Sequence, residues 1–257
     1  MNTTKPEDLR HLAAAGSIDW TQGHEGKRTS DDVLYNIMDG PFNSVHQFRR
    51  NGLSLAGADC VAQERMTKRW PHIHWNWDLV EFDPGVLTRM ENRARALLHE
   101  YGLMCRCHDP MSMLEFLQGK STRHPDFKWP RYDVIDFDWT GIHSEANIRC
   151  FQLVFERNLL APGGFIINTS GLGHAQPKSA AHQSCLSHVT RRRVRVDDLR
   201  INKWPLPEGA TAKIHGFANL IEAISKTWGS PVKAVRATLY SSGKYNHTQV
   251  HHLFQRV

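Results

Sequence analysis

The feature that most constrains this chain is an alternation. Short apolar runs ending in Asp, Gly or Pro trade places with segments whose apolar residues recur at helical spacing. The first run is Val33-Leu34-Tyr35-Asn36-Ile37-Met38, closed by Asp39-Gly40-Pro41, and it reads as a buried strand. Further strands are read at His74 to Phe82, Leu103 to Cys107, Tyr132 to Asp138 and Phe165 to Asn168. Helices are expected from Ala58 through Arg69, from Val86 through Leu98, from Glu145 to Arg157 and from Gly216 to Trp228, with a short one at Met113 to Leu117. Two strands in succession, Lys233 to Tyr240 and Val250 to Val257, end the chain. The expected fold is therefore α/β: a doubly wound, mostly parallel sheet with helices on both faces and a C-terminal antiparallel hairpin.

Within 257 residues this leaves room for one domain with elaborations. Residues 1–30 read as an N-terminal arm and 31–257 as the domain, with insertions near 51–72 and 171–213. No apolar stretch approaches the ~18 residues of a membrane span, and the N-terminus lacks the apolar core of a signal peptide. A cytoplasmic setting is the default expectation. Cys60, Cys105, Cys107, Cys150 and Cys185 are odd in number and scattered, which argues against a disulfide framework. Cys105-Arg106-Cys107-His108 offers half of a zinc site, but no second pair at finger spacing follows, and alternation in a strand explains it better. No metal is expected. Homo-oligomerisation is left open.

In an open parallel sheet, ligands bind beyond the carboxyl ends of the strands. The residues just after each run are thus the candidates. Asp39-Gly40-Pro41-Phe42-Asn43 is a small-residue loop that lets backbone approach a ligand, and a tight strand-to-helix turn explains it equally well. Glu81 follows the second strand, where a carboxylate can accept both hydroxyls of a ribose. Asp109 follows the third, where it can accept from an adenine amine. Asp136, Asp138 and Trp139 end the fourth, offering two carboxylates and an indole able to stack on a base.

Taken in order, these segments resemble the class I S-adenosyl-L-methionine (SAM)-dependent methyltransferases. Asp39, Gly40 and Asn43 fall at the family's first motif, under the methionine part of SAM. Glu81, in Leu79-Val80-Glu81-Phe82-Asp83-Pro84, resembles the ribose acid, and Asp109 the adenine-contacting acid. Leu159-Leu160-Ala161-Pro162-Gly163-Gly164-Phe165 resembles the Pro-Gly-Gly element before strand five. Tyr132 to Gly141 is closest to the strand-four segment of tRNA guanine-N2 methyltransferases, with Trp139 and Thr140 replacing that family's Pro and Phe. The resemblance implies SAM as cofactor, in-line methyl transfer, and catalytic roles for Asp136, Asp138 and Trp139. The departures from the motifs motivate an alternative: a methyltransferase-fold protein that has lost catalysis and serves a binding or structural role. A weaker third alternative is a small-molecule methyltransferase, with Trp139 and Trp204 lining an apolar pocket.

The net charge of +6 favours a polyanionic partner. The run Arg191, Arg192, Arg193 and Arg195 alternates with valines at its end, and as an extended segment it would present guanidinium groups to phosphates. Nucleic acid, as a tRNA or DNA base amine, is the expected partner. His174, His182, His188, His251 and His252 have no metal spacing and read as surface residues.

Overall fold

A computed structural model describes residues 20–44, 49–124, 126–139, 144–172, 180–189, 193–200, 205–242 and 247–257. In chain order, the first elements are α1 (Trp20–Asn43), β1 (Arg49–Leu55), α2 (Val61–Arg69), β2 (His74–Val80), α3 (Pro84–Tyr101), β3 (Met104–Cys107) and α4 (Met113–Leu117). Then come β4 (Tyr132–Asp138), α5 (Glu145–Glu156), β5 (Leu160–Gly171), α6 (Ala180–Leu186) and β6 (Val196–Asp198). A π-helical turn, Ala212–Gly216, runs into α7 (Phe217–Thr227), and β7 (Val232–Ser242) and β8 (His247–Arg256) complete the chain.

The strands form one sheet in the order β3-β2-β1-β4-β5-β8-β7-β6. All pairs are parallel except those of β8, which runs antiparallel to both β5 and β7. Only four residues join β7 to β8, too few for a parallel crossover, so the last strand must reverse. This is the class I methyltransferase fold, with its strand order reversing between β1 and β4. Among the described residues, no helix is long and apolar enough to cross a membrane.

Side chains alternate cleanly across the sheet. Leu53, Ile135, Phe137, Ile166, Val250 and Phe254 pack against the face covered by α5 and α7. Trp75, Trp77, Leu79, Val134, Phe165, Ile167 and Leu253 pack against the face covered by α1, α2 and α3.

The first strand lies elsewhere than the sequence suggests. Val33 to Met38 is not a strand but the middle of α1. Its apolar positions Leu34, Tyr35, Met38 and Phe42 recur at helical spacing, and all four are buried against the sheet. The true first strand, Arg49-Arg50-Asn51-Gly52-Leu53-Ser54-Leu55, runs into the insertion expected near 51–72. That region holds core elements, β1 and α2. Gly52 explains the strand's weak signature: a Cβ there would lie 2.3 Å from the indole of Trp77 on β2. The neighbouring strand thus supplies the bulk that β1 lacks. The expected N-terminal arm is helical from Trp20 onward, and residues 1–19 lie outside the described residues.

Candidate functional site

The carboxyl rim of the sheet is the place to search, because β1 and β4 part their connections there. After β1 the chain turns through Ala56-Gly57-Ala58-Asp59-Cys60, and the Cys60 N–H donates to the Gly57 carbonyl at 3.2 Å. Cys60 takes a left-handed backbone at φ 48° and opens α2. A Cβ built on Gly57 would meet nothing within 4 Å, so the turn presents bare backbone to open space. Cys60 itself is no nucleophile, because burial pushes its thiol up to about 12.

At the end of β2, Glu81 Oε1 accepts from the backbone N–H groups of Phe82 and Asp83 at 2.8 and 2.9 Å. Its other oxygen has no partner among the described residues. Burial raises this carboxyl's pKa against the pull of those two N–H groups. Phe82 beside it is 65% exposed. Asp83 then caps α3, accepting from Gly85 and Val86.

After β3, Asp109 is occupied by its own loop. Its Oδ2 accepts from the Thr122 and Arg123 backbone N–H groups at 2.5 and 2.8 Å and from the hydroxyls of Ser121 and Thr122. Burial works against the carboxylate, but these donors outweigh it and lower the pKa. Asp109 thus ties the 121–123 loop to the rim.

Beyond β4 the structure divides what the sequence had expected to converge. Asp136 and Asp138 face α1, whereas Trp139 points to the opposite face, where its Nε1 donates to Asn168 Oδ1 at 2.9 Å. On the α1 face, Lys27 from the helix donates to Asp138 Oδ2. Ser54 Oγ from β1 donates to Asp136 Oδ2 at 3.3 Å. Arg65 of α2 clasps Asp31 at 2.5 Å and Asp32 at 2.7 Å, fixing α1 over the rim. Gly26 permits this approach, since a Cβ there would lie 2.5 Å from the Ser241 carbonyl oxygen.

A directed chain of hydrogen bonds completes this face. Tyr240 donates its hydroxyl proton to Gln249 Oε1 at 2.9 Å, so at 3.3 Å its oxygen must accept from His251 Nε2. His251 Nδ1 is then the acceptor for Ser30 Oγ at 2.7 Å, and Ser30 in turn accepts from Thr238 Oγ1 at 2.5 Å. The chain fixes the imidazole in its neutral Nε2–H form. Burial, helped by the Lys27 charge, lowers the His251 pKa to about 3.

The charges under α1 are strongly perturbed. Burial raises Asp136 to about 7, with the Asp138 and Asp31 charges adding to it against Lys27. Burial likewise raises Asp31 to about 6. Asp138 goes the other way, because the Lys27 ammonium outweighs its burial and holds it below the usual carboxylate value. Lys27 loses solvation, yet Asp138, Asp31 and Asp136 more than compensate and keep it protonated. The rim therefore holds a Lys27–Asp138 ion pair above a carboxyl that burial raises to about 7.

Several expected site residues lie elsewhere. Asp39, Gly40 and Asn43 are on the last turns of α1, not in a loop after a strand. Asp39 accepts from Arg69 at 2.9 and 2.6 Å and from Trp70 Nε1 at 3.0 Å, close to where β2 begins. The Arg69 guanidinium lowers its pKa, marking a structural clamp at the amino end of the sheet. Arg191 and Arg192 lie outside the described residues. Arg193 is exposed, and Arg195 reaches Asp197 at 3.7 Å while its side chain stays 74% exposed. His174 also lies outside the described residues, as does the side chain of His182. His251 and His252 are not surface residues but fully buried ones. Among the described residues, no group of three His, Cys, Asp or Glu side chains has metal-holding geometry.

Lys27, Ser30, Asp31, His251 and Asn168 escaped the sequence reading. The one available signal was a run of polar residues, Glu25 to Asp32, directly preceding an apolar helical face.

No protein-family model and no curated protein matches this sequence. Solved structures resemble its fold. A protein named as methylase HI0767 from Haemophilus influenzae is 14% identical over 89% of this chain and 99% of its own, with a TM-score of 0.45. One named as a sarcosine dimethylglycine methyltransferase from Galdieria sulphuraria is 15% identical over 89% of this chain and 85% of its own, at 0.49. An O-methyltransferase from Bacillus cereus, solved in complex with SAH, is 14% identical over 80% of this chain and 74% of its own, at 0.44. The fold assignment rests on the strand order itself.

Proposed function

We propose that this chain binds SAM at the crevice between β1 and β4 and transfers its methyl group to a base amine of a nucleic acid. One observation carries the cofactor half: Glu81 keeps an unpartnered carboxylate oxygen beside the exposed ring of Phe82, one strand from the open backbone at Gly57. These residues suit the group. Glu81 would accept from the ribose hydroxyls, Phe82 would cover a face of the adenine, and the 56–60 turn would hold the methionine end. SAM supplies an electrophilic methyl on a sulfonium, ready for in-line displacement.

The protein's part is then placement and exclusion of water. Asp138, kept ionised by Lys27, would orient an acceptor N–H. Asp136, poised near neutrality, would take up a proton released there. The nucleic-acid half draws support from the net charge of +6 and from the exposed guanidinium groups of Arg193 and Arg195 along the far sheet edge.

A second reading, a methyltransferase fold without catalysis, is favoured by one observation: the strand-four carboxylate is already paired with Lys27 of the same chain. Calorimetry with SAM and with S-adenosylhomocysteine decides the cofactor, with Glu81→Ala expected to weaken binding at least about tenfold. Absence of heat at millimolar ligand would end the proposal. Labelled methyl transfer to total tRNA and genomic DNA decides between catalysis and its loss. Replacing Arg193 and Arg195 together by Ala should reduce the salt slope of nucleic-acid binding, and a flat slope in the parent protein would remove that partner.

A further inference from the structure

At the carboxyl rim, Lys27, Arg65 and Arg123 are each held by a carboxylate. The amino end of the sheet is different. Arg49 opens β1, Arg131 directly precedes β4, Arg157 caps the end of α5 and Lys233 lies at the start of β7. Arg256 ends β8, which returns to this end because it is antiparallel. Among the described residues, none of these side chains meets a carboxylate. Asp133, the nearby acid, is taken by Arg50 at 2.7 Å. Arg256 is half-buried and the others are exposed.

The fold sets these cations in a row. Asn51 Nδ2 donates to the Arg131 carbonyl at 3.2 Å, tying the start of β1 to the entry of β4. Arg256 Nη1 donates to Asn158 Oδ1 at 2.7 Å and to the Leu160 carbonyl, which fixes it beside the start of β5. Val232 of β7 faces Arg256 in the β7–β8 register, and Lys233 follows it. The row crosses the strands β1-β4-β5-β8-β7, roughly 19 Å at about 4.8 Å per strand. Burial lowers the Arg256 pKa, and the Arg131 charge adds to the effect. Helix polarity accounts for only part of the gathering. Arg157 complements the carbonyl end of α5, but Arg49, Arg131 and Lys233 belong to strands, which carry no comparable dipole. Like charges without counter-charge repel one another, and a polyanion laid across them relieves the repulsion.

We propose that this row is a surface for the phosphate backbone of nucleic acid, separate from the rim. Phosphates recur at about 3.4 Å per strand along a duplex axis, so the row matches a run of about five. Guanidinium groups bind phosphate oxygens in pairs, and Trp228, 46% exposed at the end of α7, offers a flanking face for a base. β4 is 7 residues long, which puts the row roughly 23 Å from Asp138. The surface therefore holds nucleic acid well away from any base offered to Asp138, and its binding needs neither SAM nor methyl transfer.

Anisotropy of fluorescein-labelled tRNA with the full chain, from about 50 to about 200 mM salt, is the test. Replacing Arg49, Arg131 and Lys233 together by Gln removes exposed groups without carboxylate partners. The variant should bind at least about tenfold more weakly and lose about two to three from the salt slope. Arg131→Gln alone should remove about one, which keeps the test open should the triple variant not fold. An unchanged slope in these variants overturns the surface, and loss confined to the Arg193 and Arg195 variant moves nucleic acid to the far sheet edge. Equal loss per charge in both sets means that net charge alone drives binding, which also overturns it. A parent protein that leaves tRNA free ends the proposal, and its sedimentation with phosphatidylserine vesicles would assign the row to a membrane surface instead. Calorimetry with SAM moves none of these outcomes, so the cofactor proposal stands or fails by itself.

Discussion

The two halves of α1 meet the same sheet on opposite terms. Its second half is apolar. Phe42 makes edge contacts with Trp70, Trp75 and Phe165 at ring distances of 4.8, 5.7 and 5.6 Å, and Leu34, Tyr35 and Met38 fill the layer behind it. Its first half sets Lys27, Ser30 and Asp31 against Asp136, Asp138, Thr238 and His251. Burying apolar area is the ordinary way to dock a helix. Burying carboxylates is not, because each gives up solvation that its partners must restore. The contrast assigns the two halves different work: one anchors the helix, and the other brings charge to the rim where chemistry is proposed.

Three substitutions probe that division. Phe42→Ala should have the largest effect, about 3–5 kcal/mol in urea unfolding, since it empties a site among three aromatic rings. A loss below 1 kcal/mol would mean that the apolar half is not the anchor. Lys27→Met should cost less, about 1–2 kcal/mol, because the ion pair is partly exposed, with side chains 25% and 34% accessible. Equal or greater loss than for Phe42→Ala would reverse the assignment.

The smallest effect is on pH dependence. Asp136, at about 7, is raised above its unfolded value, so its contribution is complete at low pH and fades as pH rises through 7. His251 and His252 are lowered to about 3 and 4 from an unfolded value of about 6.5, so they oppose this trend until about pH 7.5, above which both are neutral in either state. Asp136→Asn keeps both histidines, so between about pH 6.5 and 8 the protein should lose on the order of 1 kcal/mol relative to that variant. Parallel pH profiles for the two proteins would show that Asp136 is not the titrating group.

The same contrast explains how far the sequence could be read. β2 to β5, β7, β8 and α3 carry regular periodicity and capping signals, while the Pro162-Gly163-Gly164 turn expected before the fifth strand lies within β5. Glu81 was legible because it directly follows a strand. β1 was not. Its two arginines, Asn51 and Gly52 mask a strand whose packing comes from Trp77, and the apolar half of α1 supplied a more persuasive run just upstream. Both Asp39 and the first-motif assignment went astray with it. The charged rim was illegible for a different reason. Ser30 meets Thr238 and His251 across 208 and 221 residues, a pairing that no local pattern announces.

That separation has a consequence for synthesis. The strands that receive the first half of α1 are synthesised about 200 residues after it, and loop closure over such a span is slow. That half of the helix must therefore wait for β7 and β8. Until they are made, Phe42 already has Trp70, Trp75 and Phe165 to pack on, whereas Lys27, Ser30 and Asp31 lack Thr238 and His251, so the anchored half of the helix can dock first and the charged half last.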